Sequence, residues 1–219
     1  MTSDLSSRCG PGQTYGISKP DISAPGVYIL AGNTGEPLDT TAQKPGESFI
    51  VMQGTSMSSP HVAGAGALLK QLSPTWTPGQ IKSALMTTAT IKKVFKEDSE
   101  TAADPFDVGS GRIDLQKAIK PGITFDTAGD DFIIHQSDLW NVNYPSIYIP
   151  NMGNTIMVSR TVHSELIKSS TWMISAQVPA DLSITVPNLL RFRPTAMLLS
   201  LSPSMPLQSP PEGFVMQHY

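Results

Sequence analysis

The chain is poor in the features that mark several protein classes at a glance. It has one cysteine, Cys9, among 219 residues, which excludes an internal disulfide and any cysteine-rich metal site. Charged residues make up 15% of the chain, well below the usual quarter, and no Lys/Arg-rich run occurs. With a net charge of −3, that balance argues against a nucleic-acid partner. No apolar run reaches the roughly 18–20 residues needed to cross a bilayer, so no membrane span is expected. The opening stretch, MTSDLSSRCGPGQTYG, lacks the basic start, apolar centre and small-residue cleavage site of a secretory leader. No H-E-x-x-H occurs, and Asp130/Asp131 read as a solvated turn rather than a calcium loop, so neither metal nor cofactor is expected. Histidine is missing from residues 1–60 altogether.

Turn chemistry, by contrast, is plentiful. With 19 prolines and 17 glycines, the composition favours a loop-rich protein over a helical bundle, while 39% hydrophobic residues suffice for a core. Breaker clusters fill residues 1–47: CGPGQ, SKPDISAPG, GNTGEP and QKPGE. Between them, GVYIL (residues 26–30) reads as a buried strand, and SFIVM (residues 48–52) as the next. From about Met57 to Leu72 the pattern is helical, with small residues on most faces and a single charge, Lys70. A glycine inside a helix costs about 1 kcal/mol relative to alanine, so Gly64 and Gly66 imply close approach of neighbouring backbone. That makes the helix central and buried. A second helix has Thr77 as N-cap, Pro78 in its first turn, and Ile81, Leu85 and Ala89 on one face. VGSGRIDLQKAI then reads as a glycine-rich turn and a short helix from Asp114 to Ile119, stopped by Pro121 and Gly122. After Phe125 the runs SIYIP, NTIMVSRTVHS, STWMISAQV and LSITV alternate like strands at sandwich spacing.

The stretch IVMQGTSMSSPHVAG sends a strand through a Gly-Thr-Ser turn straight into a helix. Ser56 therefore sits among the unpaired N–H groups of a helix start, where the dipole favours negative charge. Most serines at such turns are simple caps. As a nucleophile, Ser56 fits neither of two common designs. A nucleophile elbow needs glycine where Ser58 stands, and no lysine has a serine three residues before it.

GTSMSSPHVAG does, however, closely resemble the serine segment of the subtilisin-like proteases, the subtilases. KPDISAPGV (residues 19–27) resembles the family's segment before the serine. LSSRCGPG is similar to its SSRGP turn, with Cys9 interrupting it. LSPTWTPGQIKSALMTTA and GSGRIDLQKAI resemble the helices that close the catalytic domain. NYPSIYIP, MVSRTV and WMISAQVPADLSITV resemble the fibronectin-III-like domain of the large, plant-type subtilases. The likeness runs over roughly residues 5–192, in family order. It implies an α/β fold: the C-terminal portion of a parallel-sheet subtilisin-like catalytic domain over 1–120, a linker over 121–140, and a small, incomplete β-sandwich over 141–219. It also implies a secreted serine endopeptidase acting on polypeptides, with Ser56 as the nucleophile and its own backbone N–H as one oxyanion donor.

The rest of the triad is not expected in this chain. The family order is Asp, His, Ser, and no histidine precedes Ser56. His61 lies five residues on, about 140° around the helix and about 7.5 Å along it, pointing away. His135, His163 and His218 are out of order. Asp21 reads as a structural turn residue, Asp4 and Asp39 carry no motif, and Asn33 follows the segment that the family's oxyanion asparagine precedes. A chain holding the nucleophile without its base and acid is expected to be inactive alone, its natural partner being the missing N-terminal half of the catalytic domain. Residues 1–120 alone are expected to be marginal or prone to aggregation, because a cut parallel sheet leaves open edges. Two alternatives stand beside this: a non-catalytic remnant or pseudo-protease whose β-domain binds a partner, and a hydrolase using a new base. The tail from Pro194, with five prolines, departs from the pattern after about residue 193, as a shifted reading frame or a low-complexity tail would.

Overall fold

The computed structural model describes residues 6, 8, 16–36, 44–92, 94–96, 98–150, 152–153, 155–178, 180 and 182–192, and the backbone of 199–201. Cys9, Asp4, Asp39, His218 and the tail from 202 onward lie outside the described residues.

The described residues form a mixed helix and strand structure with three small sheets. Strands β1 (Ile29–Gly32) and β2 (Phe49–Met52) pair antiparallel, Ile29 opposite Met52 and Gly32 opposite Phe49. β2 feeds helix α1 (Thr55–Leu72), and α2 (Pro78–Thr87) folds back against it. Two one-turn helices follow, α3 (Pro105–Val108) and α4 (Leu115–Ala118), then strand β3 (Ile123–Phe125) and helix α5 (Gly129–Ile134). Strands β4 (Arg160–Ser164), β5 (Ser170–Met173), β6 (Leu189–Phe192) and β7 (Leu199–Leu201) complete the order. β3 and β7 flank β4, and β5 pairs with β6; every ladder among the described residues is antiparallel. The parallel sheet expected from the resemblance is not formed by them. Its nearest trace is one parallel bridge, Ser23 with Arg112.

α2 follows its sequence signals closely. The Thr77 side chain accepts from the Gln80 amide at 3.1 Å while Gln80 Oε1 accepts from the Thr77 amide at 3.0 Å, a capping box with Pro78 in the first turn. The helix ends at Thr87, short of Ala89, and in its last turn the Thr87 and Thr88 hydroxyls donate back to the carbonyls of Ser83 and Ala84.

α1 corrects the expectation of a buried central helix. Only Ala65 and Leu69 are buried; Leu68 and Leu72 are 52% and 60% exposed on the other side. A Cβ at Gly64 would meet nothing within 4 Å, and at Gly66 only Ile81, at 3.8 Å. No backbone of the described residues crowds either glycine. β1 is likewise open rather than buried, with Tyr28, Leu30, Phe49 and Val51 all more than half exposed along the ribbon. The apolar residues are where the pattern put them, and the described chain does not cover them.

Among the described residues, three cores hold the rest. Ala65, Leu69, Trp76, Ala84, Leu85 and Ala118 join α1, α2 and α4. Phe125, Val162, Leu190 and Phe192 join the later strands. Met86, Val142 and Tyr144 join α2 to the loop before β4. Residues 121–140 carry β3 and α5, and β3 lies directly on α2. The Phe125 amide donates to Ser83 Oγ at 2.9 Å, and a Cβ at Gly79 would sit 2.5 Å from the Thr127 nitrogen. Glu165 accepts from Trp76 Nε1 at 2.9 Å and from Gln80 Nε2 at 3.3 Å, adding a polar seam beside that contact.

Two of the expected strands, over 146–150 and 182–186, form no ladder. Beside the first lies the buried guanidinium of Arg160, which donates to the carbonyls of Tyr144 (2.9 Å), Trp140 (2.8 Å), Ser146 (3.3 Å) and Ser159 (2.8 Å), Ser146 alone belonging to the stretch. Burial pushes Arg160 down to about 10, still a cation near neutral pH. Residues 182–186 alternate as expected but find no strand partner among the described residues.

Candidate active site

The geometry around Ser56 begins at Gly54. Its φ of 138° and ψ of 170° lie where side chains are strained, so glycine alone turns the chain this sharply out of β2 into α1. The Gly54 amide donates to the Gly26 carbonyl at 2.7 Å, and the Gly54 carbonyl accepts from Met57 at 3.0 Å and Ser58 at 3.3 Å. Ser58 Oγ donates to the Ala24 carbonyl at 2.9 Å. The segment 24–26 thus lies flat against the turn. A Cβ at Gly26 would fall 2.2 Å from Ser58 Oγ and 2.8 Å from the Gly54 carbonyl, so the close approach itself requires glycine.

Ser56 stands on the exposed first turn of α1. Neither its hydroxyl nor its N–H has a hydrogen-bond partner among the described residues, and Pro60 has no N–H to return to its carbonyl. An unpaired N–H beside a hydroxyl at a helix start can stabilise developing negative charge on a ligand oxygen. Among the described residues, no base is placed to activate the hydroxyl. His61 Nδ1 is 2.7 Å from the Met57 carbonyl, bonded back along its own helix. His135 pairs with Asp138 at 3.1 Å, and His163 sits on β4 opposite Thr124. Asn33 donates to the Glu47 carbonyl.

Asp21 occupies the centre of a polar cluster that the sequence did not disclose. It accepts from Tyr144 Oη at 2.5 Å and from Lys19 Nζ at 2.7–2.8 Å, with Lys82 Nζ at 3.6 Å. Lys82 also donates to Tyr144 Oη at 3.2 Å, and both ammonium groups lie over the Tyr144 ring at 5.7 and 5.2 Å. Burial alone would raise the Asp21 carboxyl. The bonds from Lys19 and Tyr144, with the two lysine charges, outweigh burial and hold it below the ordinary value. Burial, together with the Asp21 charge, drives the Tyr144 hydroxyl well above the usual range.

A carboxylate whose folded value is depressed contributes stability in full above its unfolded value, about 4. That contribution is lost as the pH falls through the folded value. Urea unfolding followed from about pH 6 to about pH 2 is expected to show stability declining below about pH 4. Asp21→Asn should flatten part of that decline, and an unchanged slope would remove Asp21 from the account.

Behind Asp21, the loop before α4 supplies backbone support. Ser110 donates to the Asp21 carbonyl at 3.0 Å, Ser23 to Gly111 at 2.9 Å and Ile113 to Ser23 at 3.0 Å. Arg8 pairs with Asp104 at 2.9 Å and also with Asp107, while Lys96 reaches Asp104 at 3.2 Å, fixing α3 from the other side. Between α1 and α2 a groove of about 440 Å³ stays open, lined by Ile22, Val62, Gly66, Trp76, Ile81 and Leu85.

The Gly-Thr-Ser turn, the braced segment before it and the two helices after it define a class, and comparison with known families agrees. The model of the subtilase family matches residues 2–111, and the chain belongs to that family. Among its curated relatives are three subtilisin-like proteases of Arabidopsis thaliana. SBT5.6 is 36% identical over 198 residues, covering 78% of this chain and 25% of its own length. SBT3.7 is 34% identical over 220 residues, covering 86% and 28%. SBT5.4 is 34% identical over 234 residues, covering 92% and 30%. The chain thus spans between a quarter and a third of the length of these relatives. Among the described residues, no helix is long and apolar enough to cross a membrane.

Proposed function

We propose that this chain is the nucleophile-bearing part of a serine endopeptidase. Ser56 attacks the peptide carbonyl and carries the acyl group, and its own N–H takes one share of the oxyanion charge. The observation that carries this reading is the pairing of an exposed, unpartnered Ser56 hydroxyl and amide with a Gly54 turn built for that purpose. The base and its orienting carboxylate come from polypeptide outside these 219 residues. Three features favour that: no described histidine reaches Ser56, Gly64 lies open in a helix that otherwise has no use for it, and the groove beside α1 is unfilled. The alternative, a remnant that has lost the reaction, is favoured by the same missing histidine.

The domain reading extends from this. Residues 1–120 form the catalytic portion, 121–140 connect, and 141–219 belong to a fibronectin-III-like unit, atypical after about 193. The antiparallel β4, β5 and β6 around Phe125 and Phe192 support it. Polypeptide substrates and secretion follow from the family resemblance.

The experiment is fluorophosphonate labelling of the purified chain, alone and refolded with the part of a relative's catalytic domain that precedes the matched region. The bare chain is expected to stay unlabelled, and the complemented one to label in a way that Ser56→Ala abolishes. Labelling of the bare chain would instead mean a base within it. No labelling under complementation would mean a remnant.

A further inference from the structure

The segment that braces the Ser56 turn is itself held by a residue from the later, strand-rich part of the chain. Asp21 begins the run 21–26, whose far end meets the turn through Ala24 with Ser58 and Gly26 with Gly54. Its carboxylate has three partners, and they are not equivalent. The Lys19 and Lys82 side chains are 39% and 45% exposed, flexible stems whose ammonium groups exchange readily with water. Tyr144 is 4% exposed, packed with Met86 and Val142 and set edge-on to Phe132 at 6.4 Å between ring centres. A buried phenol locked by packing holds the oxygen it donates to in a fixed place, which the two partly exposed lysine stems cannot do alone.

We propose that Tyr144 is a positioning residue for the Ser56 turn, acting through Asp21 and the run 21–26; this rests on the reading of Ser56 as the nucleophile. It ties presentation of the serine to docking of the strand-rich part, from which Tyr144 comes. Backbone bonds donated by Ser110 and Ile113 and accepted by the Gly111 carbonyl hold the same run from behind. They fix its depth, and Tyr144 fixes the carboxylate end.

The test is site-resolved amide hydrogen exchange by NMR on the full 219-residue chain. The Gly54 amide, bonded to Gly26, is the reporter, and the Leu69 and Ala84 amides inside α1 and α2 are references. Tyr144→Phe keeps the ring and removes only the hydroxyl. It is expected to speed exchange at Gly54 about tenfold, the scale of one hydrogen bond, with the references unchanged. Ser58→Ala, which cuts the next link, should do the same. Because the two residues do not touch, the double variant distinguishes a relay from two separate effects. In a relay it exchanges less than about twofold faster than Ser58→Ala alone.

The proposal fails if the two effects multiply, if Gly54 does not respond to Tyr144→Phe, or if the references accelerate equally, which marks a general loss of stability. It fails equally if Gly54 exchanges freely in the parent chain. Exchange reads the backbone and not the chemistry. A Ser56 that never labels under complementation would end the nucleophile reading and leave the Tyr144 result standing.

Discussion

Arg160→Met should lower the melting temperature by on the order of 10 °C, the largest effect expected from a single side chain of the strand-rich part. The argument is one of acceptors. Arg160 is 3% exposed and has no carboxylate partner among the described residues; its four bonds all go to backbone carbonyls. Methionine of similar length fills the space but donates nothing, so the carbonyls of Trp140, Tyr144 and Ser146 lose their partner together. Each buried acceptor left bare costs about 1–3 kcal/mol. Relief from burying a cation offsets part of that, leaving about 3 kcal/mol. Arg160→Lys keeps the charge but offers a point in place of a fork, and should recover less than half of the loss. A melt of the methionine variant within about 2 °C of the parent would mean that water serves these carbonyls equally well.

The second large effect is expected at Gly109. Its φ of 62° and ψ of −130° are open to glycine alone, and an added Cβ would lie 2.3 Å from the Pro20 carbonyl oxygen and 2.6 Å from that of Asp21. Both obstacles are backbone and cannot swing aside. Strain and overpacking together put the cost of Gly109→Ala at about 3–5 kcal/mol. That cost falls on the segment supporting the Ser56 turn. Gly153 provides the comparison, since a Cβ there would meet nothing within 4 Å. Chemical denaturation is expected to show Gly109→Ala strongly destabilised and Gly153→Ala within about 0.5 kcal/mol of the parent. Equal losses at the two sites would mean that crowding at Pro20 and Asp21 is not what constrains residue 109.

How much of this was legible in the chain depends on whether the information was local. The Thr77–Pro78 start of α2, the short helix beginning around Asp114 and the β2–turn–α1 passage are contained within a few residues, and each is found where the pattern puts it. Burial of α1 and β1 was not local. The apolar pattern was sound, but a pattern cannot say whether the surface it needs is supplied by the same polypeptide. Strand alternation also failed at 146–150, where Ile147 and Tyr148 are both buried side by side and the Ser146 carbonyl accepts from a guanidinium.

The sequence carries a local signal for the burial of Arg160. Val158, Arg160 and Val162 alternate with their neighbours into and along β4, which puts the arginine on the same side as the two valines, and all three are at most 3% exposed. At the candidate site, the sequence pointed to Ser56 and could not point to Tyr144, Lys82 or Glu165. These lie tens of residues from what they touch, and their polar types are equally at home on a surface.

The ribbon of β1 and β2 has a consequence beyond the single chain. With Tyr28, Leu30, Phe49 and Val51 turned outward along two short strands, it offers what chaperones and quality-control proteases recognise in unfinished proteins. Open strand edges of this kind pair with other chains, so the cost expected from the bare ribbon is association between copies rather than loss of the local fold.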